Sequence, residues 1–575
     1  MPAPWTLGSA HAAAGRAAVV LLLSAFSGVA MAADPDPRHA PFFTSIGGEF
    51  DEPLNRMWRI YGAVTEEEGA VIRFGKEAAW HEWMARKLMW SGEDEYRDAF
   101  RAILVEYPMS ENGYVWSWTD QAQWPTEPPS YHQENNAKYI LGVCRYFFWT
   151  RDKDFLHARD PVSQGSGDAS EGMTVLQKIR TAMAYQLEEL NGRDGMLVIR
   201  NGHNTGRPDG APTNYWDNFP FGHKDGYTNI YYYASLLALA DLEEILGETE
   251  QAEDYRALAA ETASQYRSTF WNEDTGRFLG CIDEDGARWD LGFTFLNTEA
   301  MTYSLADDAQ AEEILAWLHG ERVIADDTSQ GDDIYAFGFA PRSTTVDVAA
   351  LGEPYWWKPV LDNGEPQITV GPGGSATYGE HLENGGAIFY TSYYDIMARV
   401  KHAGPNDGWE RFMGVMDEFA KDELRRNPSN NVGAEWKVGV IGVFPESGLV
   451  PTAFLHAFLG VTADGRGLRV APALPEALDH AGVRGLRFGG GSYTLTIDGE
   501  TIAAKALADG ETRLMGTAGN LRPGAAYAIT VTDADNEPRK ETRIEACAKG
   551  DIPFDTALSE GWTLTIAPSE ARAAE

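Results

Sequence analysis

Two kinds of helical pattern alternate along most of this chain, and that alternation constrains its fold more than any other feature. Residues 227–246 carry Ile230, Tyr231, Tyr232, Tyr233, Leu236, Leu237 and Leu239, apolar on nearly every side. Residues 249–270 instead gather Tyr255, Leu258, Ala259, Ala263, Tyr266 and Phe270 on one face, with charged residues largely opposite. A helix apolar all round has to be enclosed by protein, whereas an amphipathic one covers something. The same pairing recurs at 131–148 with 171–190 and at 385–400 with 407–426. Weaker pairs stand at 76–90 with 93–107 and at 293–305 with 308–319, and 447–459 adds a last inner helix. No fixed repeat length links them, which disfavours a solenoid. The pattern predicts a mainly α protein with an (α/α)6 toroid over residues 76–460.

Beyond Gly460 the period changes from 3.6 to two. The runs 467–470, 493–497, 526–531 and 562–566 read as strands, and Asp498-Gly499 is a hairpin turn signal. A C-terminal β-sandwich is therefore expected over residues 461–575. Residues 33–75 form an N-terminal segment of undefined structure. Before it, Arg16 precedes an apolar run from Ala17 to Val29, and Ala30-Met31-Ala32 has the small-x-small form of a cleavage site. Residues 1–32 read as a secretory signal peptide, because the apolar run falls short of the ~20 residues that span a bilayer. The expected location is periplasmic or secreted, with no membrane association after cleavage. Three widely spaced cysteines, Cys144, Cys281 and Cys547, make no disulfide framework and no zinc or redox spacing.

With 86 acidic against 47 basic residues the formal charge is −39, which argues against nucleic acid as a partner. The 18 Trp, 24 Tyr and 25 Phe are more telling, since several cluster in loops that enter inner helices. The segment 214–227 places Asp217 between Trp216 and Phe219, just before an inner helix. A carboxyl among such rings is partly desolvated, which favours its protonated form and suits it to protonate a leaving oxygen. Helix capping is the competing role. Trp116, Trp118 and Asp120 lie in one further entry loop, and His132 and Glu134 in another. Together with Trp216, His223 and Lys224 they are candidates for binding sugar, by ring stacking and planar hydrogen bonds. A second carboxylate is open among Glu380 and Glu383, Glu435 and Glu446, and the Asp332-Asp333 pair, with Asp333, Glu380 and Glu435 assigned to the pocket lining. No nucleophile elbow, zinc helix or phosphate loop occurs. No metal and no cofactor are expected.

The 215–222 segment, Glu383-Asn384-Gly385-Gly386 and the closing run 460–475, above all Gly467-Leu468-Arg469-Val470-Ala471-Pro472-Ala473-Leu474-Pro475, resemble the six-hairpin glycosidases. That superfamily includes α-L-rhamnosidases, processing α-glucosidases, trehalases and glycogen-debranching enzymes. The resemblance covers roughly residues 76–500. It implies a carbohydrate substrate and inversion by two carboxylates, one protonating the leaving oxygen and the other activating water. Asp217 matches the acid of the glucosidase and trehalase branches. The base of those branches precedes the last inner helix, which points to Glu446 or Glu435. The spacing around it departs from the family pattern, so Glu383 competes, in the order Glu446, Glu383, Glu435. A polysaccharide lyase, a phosphate-dependent phosphorylase and a non-catalytic glycan-binding protein are the alternatives. Oligomeric state is not indicated.

Overall fold

The computed structural model describes residues 42–45, 51–62, 77–91, 94–117, 132–161, 169–200, 204–207, 212–216, 219, 221–347, 378–379, 381–424, 445–507 and 510–569. The signal-peptide segment 1–32 and most of 33–75 lie outside them. Thirteen helices are found among the described residues: α1 (Asp51–Met57), α2 (His81–Leu88), α3 (Asp94–Glu106), α4 (Asn135–Thr150), α5 (Lys153–His157), α6 (Val175–Glu188), α7 (Gly226–Leu246), α8 (Thr249–Phe270), α9 (Thr294–Thr302), α10 (Asp308–Leu318), α11 (Thr391–His402), α12 (Pro405–Asp422) and α13 (Leu449–Ala453).

Burial separates them as the patterns predict. In α4, 14 of 16 residues are buried, so its whole circumference is in contact with protein; in α8 only seven of 22 are, and they form one stripe. Helices α2, α4, α7, α9, α11 and α13 each pack on the next, and α13 packs back on α2, which closes a cycle of six. Outside it, α3 and α6 lie on α4, α8 lies on α7, and α10 and α12 lie on α11. The sixth outer position is held by α1, whose end widens into a π-helical turn, Trp58–Gly62, against α13.

Helix starts are set locally. Asp225 caps α7 by accepting from the Thr228 backbone N–H (3.1 Å), and Gly247 ends it in a left-handed conformation (φ 87°). Reciprocal capping boxes, Thr174 with Gln177 and Asp307 with Gln310, open α6 and α10. Two boundaries differ from the sequence reading. The helix expected from 385 begins only at Thr391, because Gly385 is left-handed (φ 70°) and the chain runs irregularly to Tyr390. The final inner helix is a composite of a 3₁₀ turn (Pro445–Gly448), α13 and a π-helical turn (Phe454–Phe458).

The C-terminal part is all strand: β2 (Val461–Asp464), β3 (Gly467–Val470), β4 (His480–Phe488), β5 (Gly491–Asp498), β6 (Thr501–Ala506), β7 (Glu511–Ala518), β8 (Ala526–Thr532), β9 (Pro538–Glu545), β10 (Ile552–Ser559) and β11 (Thr563–Pro568). The expected hairpin pairs Asp498 with Thr501 across Gly499 (φ 53°). An N-terminal strand, β1 (Phe42–Ser45), joins the larger sheet, whose order is β1-β4-β5-β6-β11-β8-β9; the smaller is β10-β7-β3-β2, with β7 and β3 parallel. Leu495, Ile502, Leu564 and Ile566 from the larger sheet face Leu468, Val470, Leu514 and Phe554 from the smaller across a shared apolar interior.

The N-terminal segment is thus split between strand and helix, and Asn55 of α1 ties the two by bonding both the N–H (2.7 Å) and the carbonyl (2.8 Å) of Phe43. Phe43 packs its ring among Trp58, Trp90 and Phe454, where the sheet meets the helices. Cys144 and Cys281 are buried, Cys547 is exposed, and none is paired. No helix among the described residues is long and apolar enough to cross a membrane.

Candidate active site

The first turns of the inner helices send their side chains into one buried layer. Trp83 of α2 donates from its indole to the Tyr394 hydroxyl of α11 (3.0 Å), and Lys138 of α4 donates to the Tyr227 hydroxyl of α7 (3.1 Å). Tyr231 of α7 donates to Glu299 of α9 (2.6 Å), and Tyr390, just before α11, reaches the other Glu299 oxygen (3.4 Å). The helical rise puts residues four apart on one face, so each helix contributes stacked partners to this layer.

Lys138 is its cationic hub. The ammonium lies 3.4 Å from the Trp83 ring centre and 4.1 Å from that of Tyr231, a cation–π seat inside the protein. Burial lowers its pKa to about 8, while Glu134, Glu299, Glu82 and Glu446 pull it back up. For Glu82, burial works against ionisation, but Arg86 and Arg145 prevail and hold it below the ordinary carboxylate range. Glu299 has weaker support, and burial pushes it up to about 8 against the opposing field of Lys138.

Glu446 lies in the turn before α13, on the rim of the same layer, and is buried. The Tyr215 hydroxyl donates to its Oε1 (2.5 Å), and its Oε2 has no partner on another described residue. Tyr215 is held edge-on between Trp83 and Tyr390. Burial pushes Glu446 up to about 7, restrained by the Tyr215 hydrogen bond and by Lys138 and Lys87. A buried carboxylate at that value exchanges its proton near neutral pH, as a general base requires.

Glu134 precedes α4 and is also fully buried and pushed up to about 7, here by burial against the fields of His132 and Lys138. His132 adopts a left-handed backbone (φ 43°), uncommon for a residue with a Cβ. The turn is tied to its neighbours: Gln133 N–H donates to the Thr213 carbonyl (2.5 Å), and Asn135 donates to Ser117 Oγ (2.9 Å). Trp116 is buried in the adjoining loop, its indole donating to Ser110 Oγ (3.0 Å). Trp216 has no exposed surface and stacks on Phe295 at 3.5 Å.

The other candidates have surroundings of their own. His223 and Lys224 line a cavity of about 260 Å³ with Asn191, Arg200, Gln265 and Thr269. Asp333 is half-exposed and accepts from Ser329 (2.5 Å) and Arg342 (3.2 Å). Glu383 is buried in the turn before α11, its backbone N–H donating to His381 Nδ1 (3.1 Å). Asp217, Trp118, Asp120, Glu380 and Glu435 lie outside the described residues. No group of three or more His, Cys, Asp or Glu residues is arranged to hold a metal among those described.

Lys138, Glu299 and Glu82 escaped the sequence reading, which gave the polar residues of their helices no role, and Tyr215, though inside the 214–227 loop, was given none of its own. A usable signal was present: a lone Lys in Asn136-Ala137-Lys138-Tyr139-Ile140, and a lone Glu in Phe295–Met301, each inside a helix buried on all sides. Ionisable groups are almost never placed so deeply without a partner or a function.

Residues 140–327 match the family model of the mannosylglycerate hydrolase MGH1-like glycoside hydrolase domain. No curated protein matches the chain. Among solved structures, it is similar to a family 78 rhamnosidase of Bacillus sp. GL1, with 14% identity, TM-score 0.45 and coverage of 81% of this chain and 40% of that one. An α-L-rhamnosidase from Dictyoglumus thermophilum shows 12% identity and TM-score 0.46, over 92% of this chain and 50% of that one. A family 63 mannosylglycerate hydrolase from Thermus thermophilus shows 9% identity and TM-score 0.39, over 65% of this chain and 92% of that one. The chain spans two-fifths to half the length of these two rhamnosidases. Over residues 140–327 the chain is thus similar to an MGH1-like glycoside hydrolase domain.

Proposed function

We propose that the protein is an exported glycoside hydrolase that cleaves a glycosidic bond of an oligo- or polysaccharide with inversion, on an (α/α)6 toroid followed by a β-sandwich. One observation carries the mechanism: Glu446 is a buried carboxylate with one oxygen oriented by Tyr215 and the other unpartnered. Asp217 follows Tyr215 by two positions in the 214–227 segment, and an inverting enzyme keeps about 6.5–9.5 Å between its two carboxyls so that a water can stand between them.

In this reading Asp217, as the acid, gives its proton to the leaving oxygen while the glycosidic C–O bond breaks. Glu446, as the base, takes a proton from water, and the oxygen of that water bonds to the anomeric carbon from the opposite face. The six-helix cycle and the two facing sheets support the architecture. The sequence of residues 17–32 supports export, to the periplasm or beyond.

The test is a panel of glycosides with the product anomer read at early times by NMR. Glu446→Gln is expected to lower kcat by about 10² to 10⁴-fold, and so is Asp217→Asn; near wild-type turnover by either variant removes it from the mechanism. Sequencing the N-terminus of the exported protein should give Ala33 as the first residue.

A further inference from the structure

Glu134 is fully buried, and neither of its oxygens is hydrogen-bonded to another described residue. Native interiors rarely leave a buried polar group in that condition, and an ionisable one least of all. Asn135 Oδ1, Glu446 Oε2 and Trp216 Nε1, also at helix entries, are among the other buried atoms in that condition. Both Glu134 oxygens are acceptors, so a ligand that satisfies them has to bring O–H or N–H donors. A neutral polyol does so, whereas a carboxylate or phosphate group offers only acceptors. Gln133 and Asn135 anchor Glu134 between the Thr213–Trp216 stretch and the Trp116 loop, and one helical turn further on Lys138 is shared electrostatically by Glu134 and Glu446.

We propose that Glu134 recognises the sugar: its two oxygens accept the hydroxyl protons of a vicinal diol on the glycosyl unit being cleaved. The substrate is then a neutral glycoside with that diol unsubstituted, and not a uronide or a sugar phosphate. The assignment rests on the glycosidase reading above. A planar carboxylate matches two adjacent hydroxyls in a bidentate pair, and the charge strengthens both bonds. With burial holding Glu134 at about 7, donors at both oxygens favour the ionised form.

The test uses the full chain carrying Glu446→Gln, titrated calorimetrically with the methyl glycosides of D-mannose, D-glucose, L-rhamnose and D-glucuronic acid, and with singly deoxygenated analogues of the tightest binder. The expected result is binding of a neutral glycoside over the glucuronide, weakened about tenfold or more when either of two adjacent hydroxyls is removed. Adding Glu134→Gln should weaken the parent about tenfold and make those same deoxygenations cost about twofold or less. Glu134→Asp, which keeps the charge but withdraws it by one methylene, should weaken the parent with an unchanged melting temperature. The proposal is overturned if none of the four glycosides binds, if the glucuronide binds best, or if Glu134→Gln leaves the parent affinity intact. The two readings fail separately. Should the wild type hydrolyse none of the corresponding 4-nitrophenyl glycosides while the deoxygenation pattern holds, the hydrolase reading falls and the diol assignment stands. Should it hydrolyse one with a KM that Glu134→Gln does not change, the diol assignment alone falls.

Discussion

At the residue scale, the chemistry turns on how burial tunes single carboxyls. Glu446 is pushed up to about 7 by desolvation, and the Tyr215 hydroxyl opposes this because it bonds the charged form. The base has to be ionised, so activity should fall as pH drops through about 7. Tyr215→Phe removes the bond that favours the carboxylate, and the acidic limb of kcat/KM should then move upward by roughly one pH unit. A pH–rate profile checks this, and a limb that stays in place or moves down would separate Tyr215 from the base. The candidate carboxylates were visible in the sequence as types and places. Their ranking was not, because 86 acids share one chemistry and only burial and partners distinguish them.

At the element scale, the entry to α7 is organised around one carboxylate. Asp225 accepts from the Thr228 N–H and hydroxyl, from Asn214 Nδ2 (2.7 Å) and from the Thr213 hydroxyl. It therefore caps the helix and also fixes the stretch that carries Tyr215. Asp225→Ala should destabilise the protein by about 3 kcal/mol, since it removes a cap and leaves buried donors unpaired. Urea denaturation measures this, and a loss below about 1 kcal/mol would show that the loop relaxes without the carboxylate. Asp225→Asn, which retains an acceptor, should recover part of the loss. The N-terminal strand is a second element with a defined task. Strand β1 covers one edge of the larger sheet, whereas the opposite edge, β9, is protected by exposed charges such as Arg539, Lys540, Glu541 and Arg543. Phe43→Asp should lower the melting temperature and uncover β4, detectable as concentration-dependent association in light scattering; an unchanged melting curve would argue that the strand is dispensable.

At the scale of the whole molecule, the axial layer makes stability depend on pH. Burial raises Glu134 and Glu446 to about 7 and Glu299 to about 8, from an ordinary value of 4.5. Between those limits the folded state holds protons that the unfolded chain releases. The stabilising contribution of these groups is complete below about pH 4.5 and is lost as pH rises through 7 to 8. Glu299→Gln removes a group that has to be ionised while buried. Its melting temperature relative to wild type should therefore be more favourable at pH 9 than at pH 5. Calorimetry across that range tests this, and a difference independent of pH would mean that Glu299 does not titrate in the folded protein.

By itself the sequence located most of the helices, separated enclosed from covering ones and marked the turn from helix to strand, because periodicity records which faces of an element are buried. It also located the loops that carry Tyr215, Glu134 and Glu446, through the aromatic and acidic residues that break the pattern at helix entries. Only the tertiary structure decided which enclosed faces meet. Periodicity along one helix says nothing about the partner across the axis, so the seat of Lys138 on Trp83 and Tyr231 could not be read in advance. Nor could the bond from Tyr215 to Glu446, which spans 231 positions of chain. Tertiary packing sets the depth at which each of these groups sits, and with it the protonation state on which the proposed reaction depends.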